Sequence, residues 1–141
     1  MILVVDASVA VKWFVPFSSD EANADMAVSI LQRVGVGAVY LVQPPHFIAE
    51  VAAVLARLKP EKAVSDLAEL LHIPQRLTES AEVYGTALEL AKEFQHHLFD
   101  TLYHAVALHT PGSTLVTADK VYFAKAKSRR QICLLEDFEL A

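Results

Sequence analysis

Two aspartates each follow directly on a short apolar run of the kind that forms a β-strand. Asp6 ends the run MILVV, and Asp119 ends the stretch LVTAD, two residues after Thr117. In open α/β sheets the ligand crevice lies outside the carboxyl ends of the strands, so both carboxylates are expected at one crevice. Ser8, two residues after Asp6, would add a hydroxyl group there.

Two further carboxylates lie in stretches with the apolar spacing of helices. Glu50 occurs in FIAEVAAVL, on the border of the apolar face, about 40° beyond Val54 at roughly 100° per residue. Asp100 begins the helix FDTLYHAVAL, on one stripe with His104. We expect the neighbouring buried face of that helix to be formed by Phe99, Tyr103 and Val106.

Four carboxylates in apolar settings predict a cation site if they converge. Carboxylates that share a half-buried crevice repel one another unless a cation binds them, and hard oxygen ligands select Mg²⁺ or Mn²⁺. Such a site can lower the pKa of a bound water and stabilise an in-line phosphoryl transition state. Taken singly, each carboxylate has an ordinary alternative, because Asp6 and Asp100 could simply cap helices and Glu50 could flank an apolar face.

The elements that would position these residues alternate along the chain. Apolar runs predict strands over 2–5, 38–42, 74–78, 114–117 and 132–135, with 74–78 at an edge. Helical spacing, bounded by prolines and glycines, predicts helices over 7–14, from Ser19 or Asp20 to about 34, and over 46–59, 61–72, 79–95, 99–110 and 120–130, with Pro16 closing the first. This order predicts an α/β fold: a central, mostly parallel sheet flanked by helices on both faces.

Length and composition narrow the class of protein. The 141 residues predict one domain spanning 1–141. Although 54% of the residues are hydrophobic, no apolar run approaches the roughly 18 residues of a membrane span, so a soluble protein without a membrane partner is expected. The first apolar run lacks a positive flank and is broken by Asp6 and Lys12, which argues against a signal peptide. The single cysteine, Cys133, reads as a core residue and fits the cytoplasm.

Charge places limits on any nucleic-acid contact. A net charge of -5 argues against binding through the overall field, so contact with RNA would have to be local. Five of the chain's twelve basic residues fall within the eleven positions after Asp119. They could bind RNA phosphates or simply form a solvated helix face. These residues are Lys120, Lys125, Lys127, Arg129 and Arg130.

The remaining polar and aromatic residues receive no catalytic assignment from the sequence. His96 and His97 have no cysteine or histidine partners at zinc spacing, so no metal is assigned to them. Tyr103 and Trp13 are interpreted as core or interface aromatics rather than as stacking platforms for bases.

The quoted segments, taken in order, resemble PIN-domain ribonucleases of the kind found as VapC-type toxins of toxin–antitoxin pairs. The matching pieces are VVDAS, PPHFIAEVAAVL, FDTLYHAVAL and LVTAD, and all four acidic positions are present. The resemblance implies endonucleolytic cleavage of RNA with Mg²⁺ or Mn²⁺, a homodimer and a cognate VapB-like antitoxin. We expect Asp6 and Asp100 to bind metal directly, Asp119 to assist and Glu50 to act through water. Ser8 and Thr117 would orient carboxylates or a water.

Other functions on similar folds fit less well. A haloacid-dehalogenase-type phosphatase would need a second aspartate where Ser8 stands, and a receiver domain would need an acidic pair ahead of its phosphorylated strand. A dinucleotide-binding module would need a glycine-rich turn after a strand. The alternative that stays open is a non-catalytic interaction module on the same fold.

Overall fold

A single parallel sheet organises the molecule, and the computed structural model describes residues 1–15 and 23–140. The strands are β1 Ile2–Val5, β2 Tyr40–Gln43, β3 Gln75–Leu77, β4 Ser113–Thr117 and β5 Ile132–Leu134. The helices are α1 Ala7–Ala10, α2 Ala24–Gly35, α3 Phe47–Leu58, α4 Ala63–His72, α5 Ala81–Phe94, α6 Leu98–Leu108 and α7 Lys120–Ala126. Short 3₁₀ turns cover Val11–Trp13 and Leu135–Asp137. None of the described helices is both long and apolar enough to cross a membrane.

The strand order is β3-β2-β1-β4-β5, and all neighbouring strands are parallel. The predicted parallel sheet is therefore confirmed, including the short edge strand, which is β3. Connections run outward from β1 to β3 on one side and from β4 to β5 on the other. Right-handed crossovers in these opposite directions place α1–α4 and α5–α7 on opposite faces. The order reverses between β1 and β4, which is where ligand crevices form in such sheets.

Strand β1 is central and buried on both faces, which explains its lack of polar alternation. Leu3, Val4 and Val5 are at most 1% exposed. On one side β1 pairs with β4 along its whole length, from Ile2 opposite Ser113 to Val5 opposite Val116. Asp6 follows directly, so its carboxylate leaves the sheet at the carboxyl edge.

On its other side β1 pairs with β2 only at its first two residues, and the side chain of Gln43 completes the contact. Gln43 is fully buried. Its Oε1 accepts a hydrogen bond from the Val5 N–H and its Nε2 donates to the Val5 carbonyl, both at 2.8 Å. One amide thus replaces the strand pairing at the residue before Asp6, where both backbone groups would otherwise be buried without partners.

The end of helix α7 differs from the sequence prediction. Helix α7 ends at Ala126 instead of continuing to residue 130, because the chain turns there and reaches β5 through Gln131, whose φ is 62°. The Gln131 side chain stabilises this turn, since its Nε2 donates to the Ala107 carbonyl at 2.6 Å and the Ser113 carbonyl at 2.9 Å. The predicted helix start at Ser19 or Asp20 and the stop at Pro16 lie outside the described residues.

We expect Gln43→Leu to lower the free energy of unfolding by about 2 to 4 kcal/mol, because it leaves two buried backbone groups of Val5 unpaired. Urea unfolding followed by far-UV circular dichroism measures the change. Gln32→Leu, at an exposed position of α2, is the matched control and should change stability by less than about 0.5 kcal/mol. Similar losses in the two variants would contradict this role of Gln43.

Candidate active site

One cavity at the carboxyl edge of the sheet brings the four predicted carboxylates together. It has a volume of about 410 Å³ and lies where the strand order reverses between β1 and β4. The carboxylates come from four different parts of the chain: the end of β1, α3, α6 and the end of β4. Its acidic lining residues are Asp6, Glu50, Asp100 and Asp119.

Asp6 is buried and is held by two hydroxyl groups. Its Oδ2 accepts hydrogen bonds from Ser8 Oγ at 2.7 Å and Thr117 Oγ1 at 2.9 Å. Ser8 Oγ also accepts from the Ala118 N–H at 3.1 Å, which ties the end of β1 to the end of β4. The Asp6 side chain makes no capping bond to α1, so the interpretation of Asp6 as a mere helix cap is wrong.

Burial sets the protonation of Asp6. It raises the pKa of Asp6 from 3.8 to about 6, and the negative charges of Asp100 and Glu50 act in the same direction. The hydrogen bonds from Ser8 and Thr117 lower the pKa and offset only part of this rise. Without a cation, a charged Asp6 is therefore costly to the folded protein.

Glu50 is held by groups that favour its charged form. Its Oε1 accepts a hydrogen bond from the Tyr103 hydroxyl at 2.6 Å and lies 3.3 Å from His46 Nε2. His46 Nε2 also lies 2.6 Å from the carbonyl oxygen of Phe99, and because a carbonyl only accepts, this nitrogen carries the proton. Burial raises the pKa of Glu50, but the contacts with His46 and Tyr103 outweigh it and leave that pKa below its usual value.

Tyr103 was expected to be a core aromatic on a buried face shared with Phe99. It is buried, at 1% exposure, but Phe99 is 58% exposed, because only the part of α6 from Thr101 to Ala107 is enclosed. Burial raises the pKa of Tyr103 far above its usual value, so the hydroxyl stays a donor to Glu50. The only indication of the contact with Glu50 in the sequence is that the hydroxyl of a buried tyrosine needs a hydrogen-bond partner.

Asp100 turns back from α6 to the two histidines that precede the helix. Its Oδ2 lies 2.6 Å from His96 Nε2 and 3.1 Å from His97 Nε2. His97 and not Asp100 occupies the N-cap position of α6, and Asp100 lies in the first turn, so the capping alternative fails here too. His104, which shares the predicted stripe with Asp100, is fully buried and bonds instead to the Tyr122 hydroxyl at 3.0 Å and the Arg130 carbonyl at 2.8 Å.

Asp119 is the one carboxylate that does cap a helix. Its Oδ1 accepts from the Tyr122 N–H at 3.0 Å at the start of α7, while its own N–H donates to Thr117 Oγ1 at 3.0 Å. Thr117 therefore contacts both the carboxylate of Asp6 and the backbone of Asp119. Capping uses only one oxygen of Asp119, so it is compatible with a role in the cavity.

The four carboxylates share a pattern: the hydrogen bonds described for each reach only one of its two oxygens. All four residues line the same cavity. A set of carboxylate oxygens that includes those of the buried Asp6 suits a hard divalent cation such as Mg²⁺ or Mn²⁺. The residues present thus fit such an ion.

Two cations that the sequence reasoning missed line the same cavity. Lys12 is buried, and Arg57 is exposed. Arg57 lies seven residues after Glu50, two helical turns further on the same side of α3. This spacing in the sequence could have indicated that Arg57 lies near the site. Of the described residues that line the cavity, none belongs to the basic cluster predicted after Asp119.

That basic cluster is partly neutralised by neighbouring groups. Arg129 forms an ion pair with Glu93, and Lys120 Nζ lies 3.4 Å from Glu136. Lys125 Nζ lies 3.1 Å from His96 Nδ1. Lys127 and Arg130 are left with no ion pair to another described residue.

Comparisons with known proteins identify the family and support the fold. A family model for the PIN domain matches residues 3–128. No curated protein matched the sequence.

Three solved structures illustrate the similarity of fold. VapC20 of Mycobacterium tuberculosis, described as a sarcin-ricin loop cleaving toxin, is 15% identical, with a TM-score of 0.63 over 86% of this chain and 94% of that one. PAE2754 of Pyrobaculum aerophilum is 21% identical, with a TM-score of 0.64 over 96% and 93%. VapBC2 of Rickettsia felis, bound to a DNA fragment from its promoter, is 18% identical, with a TM-score of 0.66 over 95% and 97%. At these identities the likeness concerns the fold.

We expect Asp6→Asn to stabilise the metal-free protein at high pH. Because the pKa of Asp6 is raised in the folded state, stability is lost as the pH rises from about 4 to about 6, and the cost is complete above that range. The variant should therefore gain on the order of 1 to 3 kcal/mol at pH 8 and almost nothing at pH 4.

Urea unfolding in EDTA at the two pH values measures this difference. Glu61→Gln, at an exposed position, is the matched carboxylate-to-amide control and should show no such dependence. A gain for Asp6→Asn that is the same at both pH values would contradict the assigned cost of charge.

Proposed function

The chain belongs to the PIN-domain family, and on this premise we propose that it is a Mg²⁺- or Mn²⁺-dependent endoribonuclease that acts as the toxin of a toxin–antitoxin pair. The observation that carries the proposal is the convergence of four carboxylates, from four separate elements, on one cavity at the switch point of the sheet. A fold alone would not require it, since each carboxylate costs stability when it is placed next to the others.

The carboxylates would divide the work according to how each is held. Asp6 and Asp100 would bind the ion directly, Asp119 would assist with the oxygen that capping leaves over, and Glu50 would act through a water. When bound, the ion supplies a water of lowered pKa and stabilises negative charge on the phosphoryl group. Glu50 suits the orienting of that water, because its contacts with Tyr103 and His46 keep it charged at neutral pH.

Ser8 and Thr117 would keep Asp6 in place through the reaction. Both hydroxyls donate to Oδ2, and this fixes the orientation of the carboxylate and therefore the position of Oδ1. Since Thr117 also contacts the Asp119 backbone, the two aspartates are tied into one unit. A fixed arrangement of this kind reduces the reorganisation needed when charge develops in the transition state.

Cationic residues on the cavity wall would position the RNA backbone. Arg57, exposed at the wall, suits the binding of a phosphate next to the one that is cleaved. Lys12, buried at the same cavity, brings positive charge close to the carboxylates. Of the predicted basic cluster, Lys127 and Arg130 would extend the contact along the RNA.

The choice of RNA and of partner draws on the structural neighbours. One of them is described as a toxin that cleaves the sarcin-ricin loop, and another is a VapBC complex. By analogy we propose an RNA substrate, a VapB-like antitoxin partner, a homodimer and a cytoplasmic location for this chain. The negative net charge of -5 fits local and not overall contact with RNA.

The alternative is a non-catalytic interaction module on the same fold. Such a module would have no need for four carboxylates that line one cavity. The two functions are therefore separated by cleavage itself and by its dependence on the carboxylates.

We expect the purified protein to cleave single-stranded or loop-containing RNA with Mg²⁺ or Mn²⁺ and to lose all cleavage in EDTA, because water activation needs the ion. Glu50→Gln should lower the cleavage rate by about 100-fold or more, the range of a positioned acid or base. Gel analysis of a labelled RNA measures both. Cleavage that persists in EDTA, or a fully active Glu50→Gln, would argue against this mechanism.

Arg57→Ala should weaken RNA binding and lower the salt dependence of the binding constant by about one phosphate contact. The double variant Arg129→Ala, Arg130→Ala tests the basic cluster in the same way. Because Arg129 is paired with Glu93, we expect Arg129 to contribute less to RNA binding than Arg57 does. Fluorescence anisotropy over a series of salt concentrations gives the slopes, and an unchanged slope for Arg57→Ala would remove Arg57 from the RNA path.

A further inference from the structure

We propose that His96, His97 and Asp100 form a second metal site, which takes a borderline transition ion such as Zn²⁺ or Co²⁺ and competes with the carboxylate cavity for Asp100. As far as it concerns inhibition, this inference rests on the proposed nuclease function. The existence of the site does not, because it depends only on residues that lie together at the start of α6.

The three side chains already present their donor atoms to one point. One ligand atom from each lies within 4.8 Å of the others, and Asp100 Oδ2 lies 2.6 Å and 3.1 Å from the two Nε2 atoms. The His96 side chain is 9% exposed and its ring packs between those of His97 and Tyr122, at centroid distances of 4.8 Å and 5.0 Å. His97 is 62% exposed, so the site is open to ions from solvent.

The donor set decides which ion the site would take. Two imidazole nitrogens and one carboxylate oxygen suit Zn²⁺, Co²⁺ and similar ions, with further positions open to water. Mg²⁺ prefers oxygen ligands and would stay in the carboxylate cavity. Two neighbouring sites of different hardness therefore share one residue, Asp100.

Lys125 opposes occupation of the new site. Its ammonium group only donates, so at 3.1 Å it makes His96 Nδ1 an acceptor and leaves the imidazole proton on Nε2, facing Asp100. To bind an ion through Nε2, the neutral ring must carry its single proton on Nδ1 instead, and Lys125 must move away. Lys125 is exposed, and its other contact in this region is a long one of 3.4 Å to the Gln95 carbonyl, so the side chain can move into solvent. The shift of the proton between the two ring nitrogens leaves the number of protons on His96 unchanged.

An ion bound at this site would weaken the neighbouring one. It would engage Oδ2 of Asp100 and offset the negative charge of that carboxylate, so the oxygen left for the cavity would bind Mg²⁺ or Mn²⁺ more weakly. By linkage the reverse holds too, and each ion lowers the affinity for the other. Zn²⁺ would thus inhibit cleavage without occupying the cavity.

Titration of the full chain with Co²⁺, followed by visible absorption, tests the site. Nitrogen ligands give Co²⁺ a spectrum distinct from that of oxygen ligands alone, and Zn²⁺ should displace it. His97→Ala should weaken Co²⁺ binding by more than about tenfold, because it removes a direct ligand. Lys125→Met should tighten binding, and His72→Ala, an exposed histidine on α4, should leave it unchanged.

The same variants separate this inference from the proposed function. A Co²⁺ spectrum that is absent, or unchanged by His97→Ala, overturns the new site even if Mn²⁺-dependent cleavage is normal. A spectrum that depends on His97 in a protein without cleavage under any metal supports the site and counts against the nuclease. In an active protein, Zn²⁺ should inhibit the parent much more than His97→Ala, and equal inhibition overturns the competition for Asp100.

Discussion

The burial of negative charge at the carboxyl edge of the sheet, to which repulsion among the carboxylates adds, is the constraint on which the rest of the structure depends. This cost is greatest for Asp6, because Asp6 is buried and faces the charges of Glu50 and Asp100. A fold that places such groups together must hold each of them firmly, or they would turn away from one another into solvent. The surrounding residues provide these holding contacts.

Each carboxylate has its own donor. Hydroxyls hold Asp6, a phenol holds Glu50, an imidazole holds Asp100 and a backbone N–H holds Asp119. The donors come from both sides of the point between β1 and β4 where the strand order reverses, so the geometry of the site depends on the sheet. Gln43 holds the backbone in a similar way, because its side chain fixes the end of β1 where pairing with β2 has stopped.

The sheet and the four acidic positions could be predicted because their signals are local. An unbroken apolar run ended by an aspartate marks a central strand and its carboxyl end, and the parallel order follows from alternating elements. The donors that hold the carboxylates could not be predicted in the same way. The contact between Tyr103 and Glu50 joins residues 53 positions apart, and nothing in their surroundings pairs them in advance. The spacing of His96 and His97 in the sequence does not indicate a zinc site. Asp100 becomes their partner only because α6 starts at Leu98 and brings its carboxylate back to them.

The central claim is that the four carboxylates hold one divalent cation jointly, and Mn²⁺ binding tests it most directly. Electron paramagnetic resonance counts free Mn²⁺ in titrations of the parent, Asp6→Asn, Asp119→Asn and the exposed control Glu61→Gln. Both aspartate variants should bind Mn²⁺ more than about tenfold more weakly than the parent, while Glu61→Gln should bind as the parent does. Equal Mn²⁺ affinity in the parent and Asp6→Asn would contradict the account.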